Sequence, residues 1–321
     1  MSRRILGSRG SVDLERVASR ASVVSVAILV AFGCAGSDPA ATYGYPDLRD
    51  AHDPELQAAF DAAVGARPGA ARFWEAVRKQ QVSVIVADVT NLRQPRVAGY
   101  NPDQMLYAAS IPKVAIVFGA LVEAQTGALE LDDETRAQLV NMVRKSSNPD
   151  ASAVLRKVGI ERLAAILQDE RHGKLYDPEH GGGLWVGKAY DKSPLWRRDP
   201  LSDLSHGASA MQVARLYYGW LNGTLVDARY RPLFAEIFGS PGLKHGFVRG
   251  LEGREEVRLY RKSGTWRNTR ADSGVVERDD LTYIAVGIYS VPEGTRALVQ
   301  GIQVVDDFML EWRHRQRPEA R

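Results

Sequence analysis

Apolar residues along the chain form runs whose order limits the fold. Leu56, Ala59, Phe60 and Ala63 recur at helical spacing behind Asp53-Pro54, an N-cap followed by proline at the first helical position. Phe73, Trp74 and Val77 continue in a second helical stretch after the Pro68-Gly69 break. Residues 82–89 are dense in β-branched side chains, a turn stands at Thr90-Asn91, and Val97 to Tyr100 returns, which predicts a hairpin. From Ser110 to about Leu221 the period is helical, with helices predicted over 112–126 and 132–144 and another opening at Asn148-Pro149. Residues 173–205 interrupt this block with Gly, Pro, Asp and Trp and no sustained period, which predicts a long functional loop. Strands return over 257–262 and 281–290, and a helix over 296–315 closes the pattern with Leu298, Ile302, Val305, Phe308 and Trp312 on one face.

This order predicts an α+β fold. An antiparallel sheet is built from both chain ends, flanked by N- and C-terminal helices, with an all-helical subdomain inserted between its strands. Two lobes arranged in this way leave a cleft at their junction.

Ahead of this body, Arg3, Arg4, Arg9, Arg16 and Arg20 precede an apolar run from Ala21 to Phe32 that ends in Gly33-Cys34-Ala35. Basic residues, a short apolar stretch and small residues predict a secretory leader over 1–33. The run is shorter than the roughly 20 residues a membrane span needs. The sole cysteine, Cys34, resembles the residue lipidated in bacterial lipoproteins, although Ala31 stands where those signals usually carry leucine; cleavage after Gly33 without lipidation is the other route. Export is expected in either case, to the periplasm or cell envelope. A linker over 34–52, a folded domain over 53–316 and a short tail over 317–321 complete the expected organisation.

Composition changes this picture in two places. With 45% hydrophobic and 25% charged residues the 321-residue chain is an ordinary globular one, and one cysteine leaves no intrachain disulfide, so packing must hold the fold. The net charge of +3 belongs to the leader, which carries five basic and two acidic residues; the remainder has 37 of each sign. A nucleic-acid partner is therefore not expected, and Arg313, Arg315, Arg317 and Arg321 read as a solvated helix end. The six histidines show no paired metal-ligand spacing. Gly182 to Lys188 matches most of a phosphate-binding loop, but Ala189 replaces the Ser or Thr that would hold Mg²⁺.

The chemistry-bearing residues lie in three places. Ser110-Ile111-Pro112-Lys113 puts a hydroxyl and an amine nearly one helical turn apart, and an amine of lowered pKa can take the hydroxyl's proton. Ser146-Ser147-Asn148 opens a helix, and Lys262-Ser263-Gly264-Thr265 ends a predicted strand. Each alone reads as a cap or a turn. Together they supply the three walls of one kind of acyl-transfer site.

On these motifs the chain resembles the serine β-lactamase and penicillin-binding protein superfamily, specifically class A β-lactamases. Ala98 to Asp103, Ser146 to Ser152 and Ser209 to Ala214 add to the resemblance, which covers roughly Leu56 to Trp312. It implies Ser110 as the acylated nucleophile, Lys113 as its activating amine and Ser146 as proton relay to the leaving nitrogen. It implies substrate contacts from Asn148, Lys262, Ser263, Gly264 and Thr265, with the Ser110 and Thr265 N–H groups as oxyanion hole. No cofactor or metal is implied, and a monomer joined to a membrane only through an N-terminal lipid is expected. Two departures stand out. Ser146 follows Ser110 by only 36 residues, so the helical lobe is trimmed. The glutamate of an E-x-x-L-N motif that activates the deacylating water has no counterpart except Glu179, the one glutamate between Arg171 and Phe234, with Asp177, Asp191, Asp199 and Asp203 as substitutes. The expected function is hydrolysis of a β-lactam or related amide through an acyl-enzyme. The alternatives are a D,D-peptidase-like cell-wall acylase that β-lactams trap, acting on peptidoglycan-derived peptides, and a catalytically silent peptidoglycan-binding lipoprotein.

Overall fold

The structure, a computed structural model, describes residues 44–317. The expected leader over 1–33, Cys34 and residues 318–321 of the tail lie outside the described residues. In chain order the elements are α1 (Pro54–Gly65), α2 (Ala70–Arg78), β1 (Val82–Asp88), β2 (Arg96–Tyr100), β3 (Leu106–Tyr107), α3 (Lys113–Gln125), α4 (Asp133–Arg144), α5 (Asn148–Val158) and α6 (Ile160–Gln168). There follow β4 (Tyr176–Asp177), β5 (Gly182–Gly183), β6 (Trp185–Val186), β7 (His206–Ala208), α7 (Ala210–Leu221), α8 (Arg231–Phe238) and α9 (Phe247–Gly250). The chain ends in β8 (Arg258–Trp266), β9 (Thr269–Arg278), β10 (Leu281–Ser290) and α10 (Gly294–Gln316).

The main sheet has the order β2-β1-β10-β9-β8, with each neighbouring pair antiparallel. The N-terminal hairpin meets the C-terminal strands at the β1–β10 pair, where Val82 faces Tyr289 and Asp88 faces Tyr283. The sheet is thus assembled from both chain ends, with helices α3 to α8 inserted between β2 and β8 in sequence. Alternation along β1 explains why it is buried on both faces. Val82, Val84 and Val86 enter a core with Leu56 and Phe60 of α1 and Ile302 and Phe308 of α10, whereas Ile85 and Ala87 enter the core shared with α3 and α7.

Local chemistry sets the helix starts that matter. Asp53 caps α1, its carboxylate accepting the N–H groups of Glu55 and Leu56 at 2.9 Å each. Helix α3 is buried from Lys113 through Val122, so it is apolar all round and runs through the middle of the helical lobe. Its one buried charge stands at its first residue.

Three regions depart from the sequence expectation. The linker expected over 34–52 ends earlier, because residues 45–52 are built into the body. Leu48 is fully buried in a short 3₁₀ turn, Arg215 of α7 donates to Asp47 Oδ1 at 2.8 Å, and His52 bridges to Val97. A Gly- and Pro-containing stretch reads as a tether until a buried leucine and an ion pair fix it. Strand β9 was not expected at all; its middle holds Asp272 and Ser273, both fully buried. The loop over 173–205 carries short strands, and β6 forms one edge of a small sheet of order β3-β7-β6, paired with the central β7. Asp199 organises it, accepting the N–H groups of Leu201, Ser202 and Leu204 and the Tyr176 hydroxyl. Trp185 is buried, stacks on Trp196 at 5.9 Å and donates to the Arg197 carbonyl, so both indoles pack the loop onto the body.

Candidate active site

Ser110 stands in a tight turn just before α3. The Ile111 N–H bonds to the Ala108 carbonyl at 3.0 Å and the Lys113 N–H to the Ser110 carbonyl at 3.3 Å, both i→i+3 bonds. Ala109, immediately before Ser110, has φ +52°, a left-handed conformation that costs a non-glycine residue on the order of 1–3 kcal/mol.

The Lys113 ammonium is buried and donates three hydrogen bonds: to the carbonyls of Ser146 (2.7 Å) and Ser147 (3.2 Å) and to Asn148 Oδ1 (2.7 Å). All three belong to the turn opening α5. Ser147, rather than Asn148, is the N-cap there, its hydroxyl accepting the Asp150 N–H, which leaves the Asn148 amide for Lys113. Burial brings the Lys113 pKa down to about 7, against the opposing pull of the Asp150 charge. Three acceptors use all three donors of an ammonium. After loss of one proton the amine has a lone pair to receive the Ser110 hydroxyl proton, and a base with a pKa near 7 is matched to that task. Among the described residues no hydrogen bond joins Ser110 Oγ to Lys113 Nζ; the ammonium is fully engaged with the α5 turn.

Ser146 connects this base to the opposite wall. With φ +55° it turns its carbonyl toward Lys113 while its hydroxyl accepts from Lys262 Nζ at 3.0 Å. Lys262 is fully buried on β8, and burial pushes its pKa well down, aided by the neighbouring Lys113 and Arg261 charges and opposed by Asp272. Sequence reasoning missed the support beneath it. Arg261 donates from Nε and Nη2 to the two oxygens of Asp272 at 2.6 and 2.7 Å, a fork-to-fork pair with both side chains buried. Asp272 also accepts the Phe247 N–H, and a β carbon on Gly246 would lie 2.1 Å from its Oδ2. The sequence signals for it are slight: an arginine beside Lys262 and an aspartate within the polar stretch 267–273.

Strand β8 is the edge of the sheet, so its outer backbone groups are free to face the cleft. Gly264 brings that edge against the nucleophile: a β carbon there would lie 2.4 Å from the Ala108 carbonyl oxygen and 3.1 Å from the Ser110 nitrogen. Ser263 is buried and Thr265 exposed beside it. The predicted residues Ser110, Lys113, Ser146, Asn148 and Lys262 to Thr265 are therefore brought together from three separate chain segments.

A sequence profile of the beta-lactamase enzyme family matches residues 70–165, which hold Ser110, Lys113, Ser146 and Asn148. No protein in the curated collection matches the sequence. Among solved structures, PBP-A superposes with a TM-score of 0.57 at 15% identity, covering 81% of this chain and 97% of its own. The β-lactamase from Sphaerobacter thermophilus gives 0.59 at 14% identity over 81% of this chain and 98% of its own. A variant of the class A β-lactamase of the last common ancestor of Gram-negative bacteria, bound to a transition-state analogue, gives 0.59 at 16% identity over 76% and 98%. The chain has the class A β-lactamase fold.

The carboxylates expected as candidates for deacylation each have partners other than the residues around Ser110. The side chain of Glu179, the expected candidate base, is 80% exposed, with Lys174 as its ion-pair neighbour at 3.9 Å. A base must reach the reacting water within hydrogen-bond distance, and among the described residues the Glu179 side chain bonds to none of the residues around Ser110. Asp177 is bound to His180 and Lys174, Asp191 to Arg156, Asp199 to its own loop and Asp203 to Arg198. Among the described residues no carboxylate forms a hydrogen bond or ion pair with Ser110, Lys113, Ser146 or Lys262. Tyr190 is the residue of this loop that lies over Lys113. Its ring centre is 4.5 Å from Lys113 Nζ and its hydroxyl donates to the Ala109 carbonyl at 3.2 Å. His206 backs the ring at 4.4 Å and is held neutral, its pKa lowered to about 4 by burial.

A cavity of 910 Å³ lies elsewhere, lined by α1, α2, α10 and the sheet, with Phe60, Phe73, Tyr289 and Ile302 among its walls. It contains none of the site residues; convergent polar groups, and not volume, mark the candidate site.

Proposed function

We propose that this protein is a serine hydrolase of the β-lactamase type, acylated at Ser110 by a β-lactam or related amide. The observation that carries this is the Lys113 amine, buried at the foot of the nucleophile's turn with a pKa near neutrality and tied through Ser146 to Lys262. In the forward step Lys113 takes the Ser110 proton, Ser110 Oγ bonds to the carbonyl carbon, and the oxyanion meets the Ser110 and Thr265 N–H groups. The C–N bond then breaks as Ser146 gives its hydroxyl proton to the departing nitrogen, and the proton that Lys113 took from Ser110 replaces it, which restores the neutral amine. Export and lipidation at Cys34 belong to the same reading and rest on the sequence alone.

A second reading concerns the fate of the acyl-enzyme. Glu179 in solvent and Tyr190 over Lys113 favour slow deacylation, as in a penicillin-binding D,D-peptidase-like acylase that β-lactams trap. A PBP-A mutant has been captured as its acyl-enzyme with penicillin G, which gives this outcome a precedent in the fold. Incubation with a fluorescent penicillin and a chromogenic cephalosporin separates the two. Turnover supports hydrolysis, and stable labelling without turnover supports the trapped acylase. Labelling that survives Ser110→Ala would remove Ser110 from the mechanism.

A further inference from the structure

Tyr190 touches both halves of the acylation machinery. Its hydroxyl donates to the Ala109 carbonyl, and its ring face covers the Lys113 ammonium. The carbonyl of Ala109 and the N–H of Ser110 belong to one peptide unit. In a trans peptide these groups point in opposite directions. Holding the oxygen toward Tyr190 therefore aims the Ser110 N–H away from it, and Gly264 of β8 approaches the Ser110 nitrogen. Among the described residues nothing accepts a hydrogen bond from that N–H. The peptide also needs holding, because Ala109 sits at φ +52° and relaxation toward an ordinary conformation would rotate it.

We propose that Tyr190 is a positioning residue that fixes the Ala109–Ser110 peptide as an oxyanion donor and, through its ring, favours the charged state of Lys113 between turnovers. The first role rests on the reading of Ser110 as nucleophile; the second does not. The hydroxyl acts on geometry and the ring on charge, so two variants separate them. The other groups bearing on Lys113 are Lys262 from β8, Asp150 from α5 and the neutral His206 from β7; neither variant removes their side chains, and because His206 packs on the Tyr190 ring at 4.4 Å its imidazole is followed in the same titration.

The test uses the full chain as wild type, Tyr190→Phe and Tyr190→Leu, with fold checked by circular dichroism. Acylation is followed with fluorescent penicillin, and Lys113 by carbon-13 NMR titration of its Cε. Tyr190→Phe is expected to slow the acylation step roughly 10- to 100-fold with little change in penicillin affinity and an unmoved Lys113 titration, since a misaligned oxyanion donor costs up to about 10²–10³ in rate. Tyr190→Leu is expected to slow acylation similarly and to lower the Lys113 titration midpoint by about half a unit to one unit, the range of a partly desolvated cation–π contact. Wild-type acylation by Tyr190→Phe would overturn the oxyanion role. An unmoved midpoint in Tyr190→Leu would overturn the ring's role. If wild type itself takes no label, the nucleophile reading fails and the oxyanion role fails with it, while the titration still decides the ring's role.

Discussion

Gly264 lies so close to Ser110 that a β carbon added to it would sit 3.1 Å from the Ser110 nitrogen. The same atom would be 2.4 Å from the Ala108 carbonyl oxygen, which is backbone and has little room to yield. Bare backbone at this one position lets the edge strand reach the nucleophile's turn. Gly264→Ala is expected to push β8 off that turn, at about 1–3 kcal/mol of overpacking, and to cut acylation at least tenfold. Stopped-flow labelling and urea unfolding measure the two effects. Unchanged labelling would mean that β8 forms no wall of the site.

The acylation rate should follow the neutral fraction of Lys113. With its pKa near 7, the rate is expected to rise with pH through about 7 and level above it. Stability carries the matching sign. Between about 7 and 10.5 the unfolded chain binds a proton at this lysine that the folded chain does not, so stability from this group rises with pH across that window, and its cost is full below about 7. A rate that is flat from pH 6 to 8 would argue against Lys113 as the base.

Asp272 is the buried counter-charge beneath Arg261 and Lys262. Asp272→Asn leaves two buried cations with weakened compensation, and breaking a buried pair costs about 3–5 kcal/mol. Chemical denaturation is the measurement, and a loss below about 1 kcal/mol would show the pair to be dispensable.

Leu48 distinguishes a tether from a built-in segment. As a fully buried residue its replacement by alanine is expected to cost about 2–5 kcal/mol, whereas a tether position would change stability by less than about 0.5 kcal/mol. Thermal and urea unfolding of Leu48→Ala decide between them.

The sequence by itself determined the parts of this protein that depend on local pattern. The β-branched density of residues 82–89, the helical spacing of α1 and α10 and the three short polar motifs mark the sheet, its flanking helices and the candidate site residues. These signals are local because an i, i+2 or i, i+4 relation is set by backbone geometry within one element. Only the tertiary structure decided what depends on partners far away in the chain. Asp272 and Ser273 form a buried strand because Arg261 of β8 pairs with the Asp272 carboxylate and Lys262 lies across from Ser273, and no pattern within 269–278 announces that pairing. Glu179 had the right residue type and faces solvent, while Tyr190, with no acidic group, covers the base. Which side chain of a 33-residue loop reaches Lys113 is fixed by how Asp199 and Trp185 fold that loop onto the body, through contacts that sequence spacing does not encode.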